Sequence, residues 1–140
     1  MKKKKKKIIN KILIVDDDVK MPSYLKNDLQ KSYAFDVVRL ETALEVLNTL
    51  NGSIFDAIIL DIMMPIPKGW SQDQERRAES GLSTGLILYE QIRMAYPLLP
   101  IVIYSAKNIT VKDKHTCILR KPELTSEIVE QLYKLMENEE

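Results

Sequence analysis

Cysteine is almost absent from this chain, since Cys117 is the only one in 140 residues. A single cysteine cannot form an intrachain disulfide, so the expected location is a reducing, cytoplasmic compartment. Histidine is equally scarce: His115 is the only one, and no catalytic or metal-binding motif surrounds it. We therefore expect His115 on the surface of a loop and Cys117 as a small strand residue without a redox role.

Long apolar runs are missing as well. No run approaches the roughly 20 residues that a membrane-spanning helix needs, and no apolar signal core follows the N-terminal lysines. We expect no membrane partner. The composition, 45% hydrophobic and 29% charged, is typical of a globular protein, and 140 residues suit one domain.

Positive charge is concentrated in Lys2–Lys7. These six lysines mean that the remaining residues carry a formal charge of −5 in a chain whose total is +1. Like charges in a row repel each other, so residues 1–10 are predicted to be a disordered basic leader and residues 11–140 a folded domain. No predicted helix is basic enough to enter a DNA groove, and we expect no nucleic acid partner for this domain.

Strand and helix patterns alternate along the domain. Continuous aliphatic runs predict buried strands at 10–15 and 57–60. A fourth and a fifth strand are predicted at 101–104 and 117–120, and residues 35–40 predict an edge strand. Helical periodicity is predicted at about 19–32, 42–51, 85–96 and 125–136. In the second helix, Thr42 and Glu45 fit a capping box, with Leu44, Leu47 and Leu50 on the inner face. This order predicts an α/β fold with a doubly wound parallel sheet.

Functional side chains follow four of the predicted strands. Asp16 and Asp17 come after the first, Asp61 after the third, Ser105 after the fourth and Lys121 after the fifth. Parallel strands bring these ends to one edge of the sheet. Carboxylates are ligands that suit Mg²⁺, and a lysine and a hydroxyl beside the ion suit a phosphoryl group. Each residue alone could be a cap, a turn residue or a surface charge, but together they indicate a phosphoryl site.

The segments around these residues resemble the response-regulator receiver domain of two-component signalling. The matching segments are residues 12–18 (ILIVDDD), 60–65 (LDIMMP), 103–106 (IYSA) and 119–122 (LRKP). The resemblance extends from Lys11 to the C-terminus. It implies a flavodoxin-like, CheY-like fold with five parallel strands in the order 2-1-3-4-5.

The resemblance also implies a role for each residue. Asp61 would accept a phosphoryl group from a histidine kinase or a phosphotransfer protein, while Lys121 and Ser105 contact phosphoryl oxygens. The implied activity is that of a signalling phosphoacceptor with an unidentified downstream protein partner. Its only catalysis would be its own phosphorylation and dephosphorylation.

A Mg²⁺ ion is implied as the cofactor. Asp17 and Asp61 would hold it directly, Asp16 through a water molecule, and Met63 through its carbonyl oxygen. A Mg²⁺-dependent hydrolase is a poorer interpretation because no second acid or base lies near Asp61 in the sequence.

Two regions depart from the family pattern. An insertion at about 66–84 follows the third strand, and its polar sequence favours a surface loop, although residues 72–80 could form a short helix that has no apolar stripe. Alternatively, Trp70 and the Glu75–Arg77 cluster form a lid or a surface for a partner.

Residues 106–116 are too few for the family's full-length helix between the fourth and fifth strands, and Ile118 occupies the position where the family often has an aromatic switch residue. A pseudo-receiver, which binds proteins without being phosphorylated, therefore remains the alternative.

Overall fold

A single parallel sheet organises the computed structural model, which describes residues 8–18 and 21–137. Its strands are β1 (Lys11–Val15), β2 (Asp36–Leu40), β3 (Ala57–Leu60), β4 (Ile101–Ser105) and β5 (Thr116–Arg120). Their order in the sheet is β2-β1-β3-β4-β5, and all neighbours are parallel. The predicted fold class and strand order are confirmed. Residues 1–7 of the predicted 1–10 leader and the predicted first residues of the first helix, 19–20, lie outside the described residues. Residues 8–10 are described, and Ile9 is buried in the core.

Helices cover both faces of the sheet. They are α1 (Met21–Ser32), α2 (Val46–Gly52), α3 (Gln72–Arg77), α4 (Thr84–Ala95) and α5 (Thr125–Glu137). Alternate residues of β1 point to opposite faces, so Ile12 and Ile14 pack with α1 and α5, whereas Leu13 and Val15 pack with α2 and α4. No helix among the described residues is long and apolar enough to cross a membrane.

The start of the second helical region differs from the prediction. Residues Ala43–Glu45 form a 3₁₀ turn, and the side chain of Thr42 makes no capping hydrogen bond. Leu44 is 61% exposed, and the buried residues of this region are Ala43, Val46 and Leu50. The predicted capping box and the inward position of Leu44 are therefore wrong. A 3₁₀ turn has three residues per turn, so it rotates Leu44 away from the face that an α-helix would present.

No helix connects β4 to β5 in the described part of the chain, as the shortness of this segment predicted. Residues 106–114 instead run as an irregular segment whose odd-numbered residues are half-buried and whose even-numbered residues are exposed. Ile109 and Val111 pack against the core on the face of α4.

Asp113 fastens this segment to α4. Its carboxylate accepts hydrogen bonds of 2.6 Å from both the Tyr89 hydroxyl and Arg93 Nε. Burial opposes its ionisation, but hydrogen bonds from Tyr89, His115 N and Thr116 and the charge of Arg93 outweigh burial and lower the pKa of Asp113 to about 2. The Arg93–Asp113 ion pair therefore holds residues 106–114 against α4, where no helix of their own packs.

His115 is only 4% exposed, so its predicted surface position is wrong. Its backbone N–H donates to the Asp113 carboxylate at 2.9 Å, which turns the chain inward just before β5. A single buried histidine at the end of a polar segment gives no periodic signal from which this turn could have been predicted.

The insertion at 66–84 contains regular structure. Ser71 and Gln74 form a capping box at the start of α3, and Ala78 is buried. Trp70 packs half-buried against the core, and Arg77 forms a 2.6 Å ion pair with Glu90 on α4. The interpretation as a simple surface loop is therefore replaced by a short helix that is attached to the domain.

Candidate functional site

The carboxyl ends of β1 and β3 place Asp16 and Asp61 side by side. Asp16 N donates to Leu40 O at 3.0 Å and Asp61 N to Val15 O at 2.9 Å, so the sheet hydrogen bonds continue past the last strand residues. Both aspartates are buried. Asp17, the next residue along the chain, is more accessible to solvent.

Three carboxylates converge with one lysine at this edge. Asp16, Asp17 and Asp61 each offer an oxygen, and these atoms lie within 4.8 Å of one another. Lys121 Nζ lies 2.6 Å from Asp16 Oδ2 and 3.2 Å from Asp61 Oδ2. The structure thus brings together four of the predicted site residues, which come from the ends of three strands.

In each buried carboxylate, one oxygen accepts hydrogen bonds from the backbone and the other lies beside Lys121. Asp61 Oδ1 accepts hydrogen bonds from the backbone N–H groups of Ile62 at 2.7 Å and Met63 at 3.4 Å. Asp16 Oδ1 accepts one from Asp18 N at 2.9 Å. These bonds fix the orientation of both carboxylates and place Met63, the predicted carbonyl ligand, in the loop directly after Asp61.

The electrostatics reflect three acids around one base. Burial raises the pKa of Asp16, although the Lys121 hydrogen bond partly opposes this, and burial together with the charge of Asp61 raises the pKa of Asp17. Burial also disfavours the charged form of Lys121, but its hydrogen bond to Asp16 and the charge of Asp61 outweigh burial and raise its pKa. A second cation would relieve the excess negative charge, and three carboxylate oxygens form a donor set that fits Mg²⁺.

Ser105 is the buried last residue of β4. Its carbonyl accepts a hydrogen bond from Lys121 N at 3.0 Å, which keeps the ends of β4 and β5 together. Its hydroxyl accepts a bond from Lys107 N at 3.3 Å. Ser105 therefore lies at the predicted edge, with its hydroxyl engaged by the turn that follows β4.

Two positioning residues were not predicted from the sequence. Arg39 on β2 donates to Asp18 O at 2.8 Å and thereby supports the acidic turn after β1. Gly85 on α4 donates from its backbone N to Ile62 O at 2.8 Å, and a Cβ atom on it would lie 2.0 Å from Asp61 O. Only glycine allows α4 to approach the backbone of Asp61 so closely, but its place at the start of a helical pattern gave no sign of this.

The family and the fold are both recognised by comparison. Residues 12–77 match the sequence pattern of the response regulator receiver domain. No curated protein matches the chain significantly. A CheY-like receiver domain protein from Methanospirillum hungatei superposes with a TM-score of 0.69 at 20% identity, covering 93% of this chain and 96% of that one.

Two further solved structures agree. Chemotaxis protein CheY4 of Vibrio cholerae gives a TM-score of 0.70 at 22% identity, over 91% of this chain and 99% of its own. The response regulator TrrA of Thermotoga maritima, in complex with Mg²⁺ and beryllofluoride, gives 0.68 at 25% identity, over 91% and 99% of the two chains. The resemblance is thereby confirmed: residues 12–77 match the response regulator receiver domain, and the fold of the chain is that of CheY-like receiver domains.

Proposed function

We propose that this receiver domain is a Mg²⁺-dependent phosphoacceptor and that Asp61 is the residue phosphorylated. The observation that carries the proposal is the placement of the Asp61 carboxylate 3.2 Å from Lys121 Nζ and beside the carboxylates of Asp16 and Asp17. Receiver domains interact with histidine kinases or phosphotransfer proteins in two-component systems, and such a protein is the proposed donor here.

The reaction is a transfer between two protein side chains. A carboxylate oxygen of Asp61 forms a bond to phosphorus, the P–N bond of the donor phosphohistidine breaks, and the imidazole leaves with the bonding electron pair. Lys121 neutralises charge on the phosphoryl oxygens, and the Ser105 hydroxyl donates a hydrogen bond to one of them. The backbone bonds from Ile62 and Met63 keep the Asp61 carboxylate oriented for the attack.

Asp17 and Asp61 would hold Mg²⁺ directly, Asp16 would hold it through water, and Met63 would contribute its carbonyl oxygen. When bound, the ion supplies positive charge that offsets the repulsion between the aspartates and an incoming phosphoryl group. The remaining catalysis comes from the protein side chains already in place, so the domain would act on its own aspartate and not as an enzyme for separate substrates.

Intact mass measurement tests this proposal. The purified protein is incubated with Mg²⁺ and acetyl phosphate, and a mass increase of one phosphoryl group is expected. Asp61→Asn should abolish it and Lys121→Met should reduce it strongly, whereas Asp36→Asn, an exposed aspartate at the start of β2, should leave it unchanged. An unmodified wild-type protein, or an Asp61→Asn variant that is still modified, would contradict the assignment.

A pseudo-receiver is the second candidate, because one observation favours it. The described residues contain no helix between β4 and β5, where receiver domains usually build part of their output surface. Such a protein would bind its partner equally well with and without the phosphodonor and Mg²⁺. Pull-down from a lysate of the source cells under both conditions, followed by phosphorylation of the recovered complex, distinguishes this candidate from a phosphoacceptor.

A further inference from the structure

The side chain of Lys107 joins the 66–84 insertion to the turn after β4. Its Nζ lies 2.5 Å from Ser83 Oγ, 3.1 Å from Glu79 Oε2 and 3.2 Å from Leu82 O. The Ser83 hydroxyl also hydrogen-bonds to the Glu79 carboxylate. We call Lys107, Glu79, Leu82 and Ser83 the Lys107 cluster. All three acceptors belong to the insertion, so this ammonium group attaches the end of the insertion to the turn after β4.

The Lys107 cluster is one residue away from the candidate site. The backbone N–H of Lys107 donates to the Ser105 hydroxyl at 3.3 Å, while its side chain contacts the insertion. A displacement of Ser105 that breaks the first contact releases the Lys107 backbone, from which the side chain that contacts the insertion extends. The position of Ser105 and the contacts of the insertion are therefore mechanically linked.

The same end of the insertion contacts the loop after Asp61. Met64 N donates to Gly81 O at 3.0 Å, and Gly85 N donates to Ile62 O at 2.8 Å. A Cβ atom on Gly81 would lie 2.9 Å from Met64 O, which shows how closely the two segments approach. Residues 79–85 thus contact both the loop after Asp61 and, through Lys107, the turn after β4.

The backbone of this segment is strained. Glu79 and Ser80 have φ angles of +51° and +58°, in the left-handed region that residues other than glycine rarely adopt. Such a conformation persists only where surrounding contacts impose it. The contacts of Glu79 and Ser83 with Lys107 are of this kind, so their loss would favour rearrangement of residues 79–83.

From this geometry we infer that phosphorylation of Asp61 breaks the Lys107 cluster and releases the insertion, which makes the insertion the moving output element of this domain. The inference rests on the proposed function, in which the Ser105 hydroxyl donates to the phosphoryl group, and it adds that the hydroxyl leaves Lys107 N to do so. The insertion carries an exposed helix, α3, with Asp73, Glu75 and Arg76 on its surface. Its release would change the presentation of these charges to a partner protein.

Linkage gives the inference a measurable consequence. If the Lys107 cluster stabilises the unphosphorylated arrangement, removing it must favour the phosphorylated one by the same factor. Lys107→Met keeps most of the length of the side chain and removes the charge. Its affinity for beryllofluoride in the presence of Mg²⁺ should rise by about five-fold or more, the lower end of typical coupling between sites.

The test combines beryllofluoride titration with hydrogen exchange. Wild type, Lys107→Met, Glu79→Gln and the control Lys112→Met are titrated with beryllofluoride at saturating Mg²⁺. Lys112 lies exposed in the same segment, so the control removes the same charge without touching the Lys107 cluster. Amide exchange of residues 79–85 should become faster when wild type binds beryllofluoride, and it should already be fast in free Lys107→Met and Glu79→Gln.

The outcomes separate this inference from the proposed function. If wild type binds beryllofluoride while exchange at 79–85 is unchanged, or if Lys107→Met and Glu79→Gln titrate like Lys112→Met, the inference is wrong and the phosphoacceptor proposal stands. If wild type binds no beryllofluoride with Mg²⁺, the proposed function fails and the inference fails with it. Thermal unfolding of each variant verifies that all are folded at the temperature of the titration.

Discussion

Replacement of Asp17 by asparagine should make the protein more stable than wild type without Mg²⁺ and less stable than wild type with Mg²⁺. Coulomb's law at an effective dielectric constant of about 20 gives a repulsion of about 3.5 kcal/mol for two charges separated by the 4.8 Å that bounds the acidic group. Solvent around Asp17 and the positive charge of Lys121 reduce this to about 1 kcal/mol. Without Mg²⁺, Asp17→Asn should therefore raise the free energy of unfolding by about that amount.

With Mg²⁺, wild type should be more stable than Asp17→Asn. An ion that binds only the folded protein stabilises it by about 2.7 kcal/mol at one hundred times its dissociation constant. Asp17→Asn removes a direct ligand, so most of this gain should be lost and wild type should become the more stable protein by about 1 kcal/mol or more.

Urea unfolding at constant ionic strength measures both quantities. The only tryptophan, Trp70, is half-buried and reports unfolding by fluorescence. Asp36→Asn is the control, because Asp36 lies at the opposite end of its strand from the acidic group. The reasoning is refuted if Asp17→Asn is less stable than wild type without Mg²⁺, or if Mg²⁺ stabilises the two proteins equally.

Two further predictions concern the surroundings of the site. Because the pKa of Asp113 is lowered to about 2, its stabilisation is complete above the ordinary value of 3.8 and is lost as the pH falls toward 2. Urea titrations should show Asp113→Asn costing about 1–3 kcal/mol at pH 7 and much less near pH 2. Gly85→Ala should cost about 3 kcal/mol or more, because its Cβ would lie 2.0 Å from Asp61 O; Gly52→Ala, with no atom within 4 Å, is the control and should be harmless.

The strand arrangement was predictable because buried parallel strands leave a strong local signal. The runs at 12–15, 57–60 and 101–103 are aliphatic throughout, and each lies in a strand of the sheet. A charged residue that follows such a run must lie at the sheet edge. The convergence of Asp16, Asp61 and Lys121 could therefore be expected before any coordinates were known.

The irregular regions were not predictable in the same way. Leu44 was misplaced because a 3₁₀ turn and an α-helix share similar sequences but rotate side chains differently. The burial of His115 and the contacts of Lys107 depend on pairings with residues 20 or more positions away, such as Arg93 with His115 O and Lys107 with Ser83. No periodicity encodes these pairings, so only the folded structure reveals them.

Tyr104 is an aromatic residue that lies next to Ser105 at the end of β4. Tyr104 is buried, and its hydroxyl accepts a hydrogen bond from Glu123 N at 2.9 Å, while Lys121 Nζ lies 5.5 Å from the centre of its ring. This aromatic residue therefore contacts the segment that carries Lys121. It therefore supports the position of the lysine.

Mapping the phosphorylated residue tests the central claim most directly. Wild-type protein treated with acetyl phosphate and Mg²⁺ is digested at acidic pH, and the peptides are sequenced by mass spectrometry. We expect a phosphoryl group on Asp61, within the peptide that contains it. We expect no phosphoryl group in a sample prepared with a chelator in place of Mg²⁺. A phosphoryl group on a different residue, or none on any peptide, would contradict it.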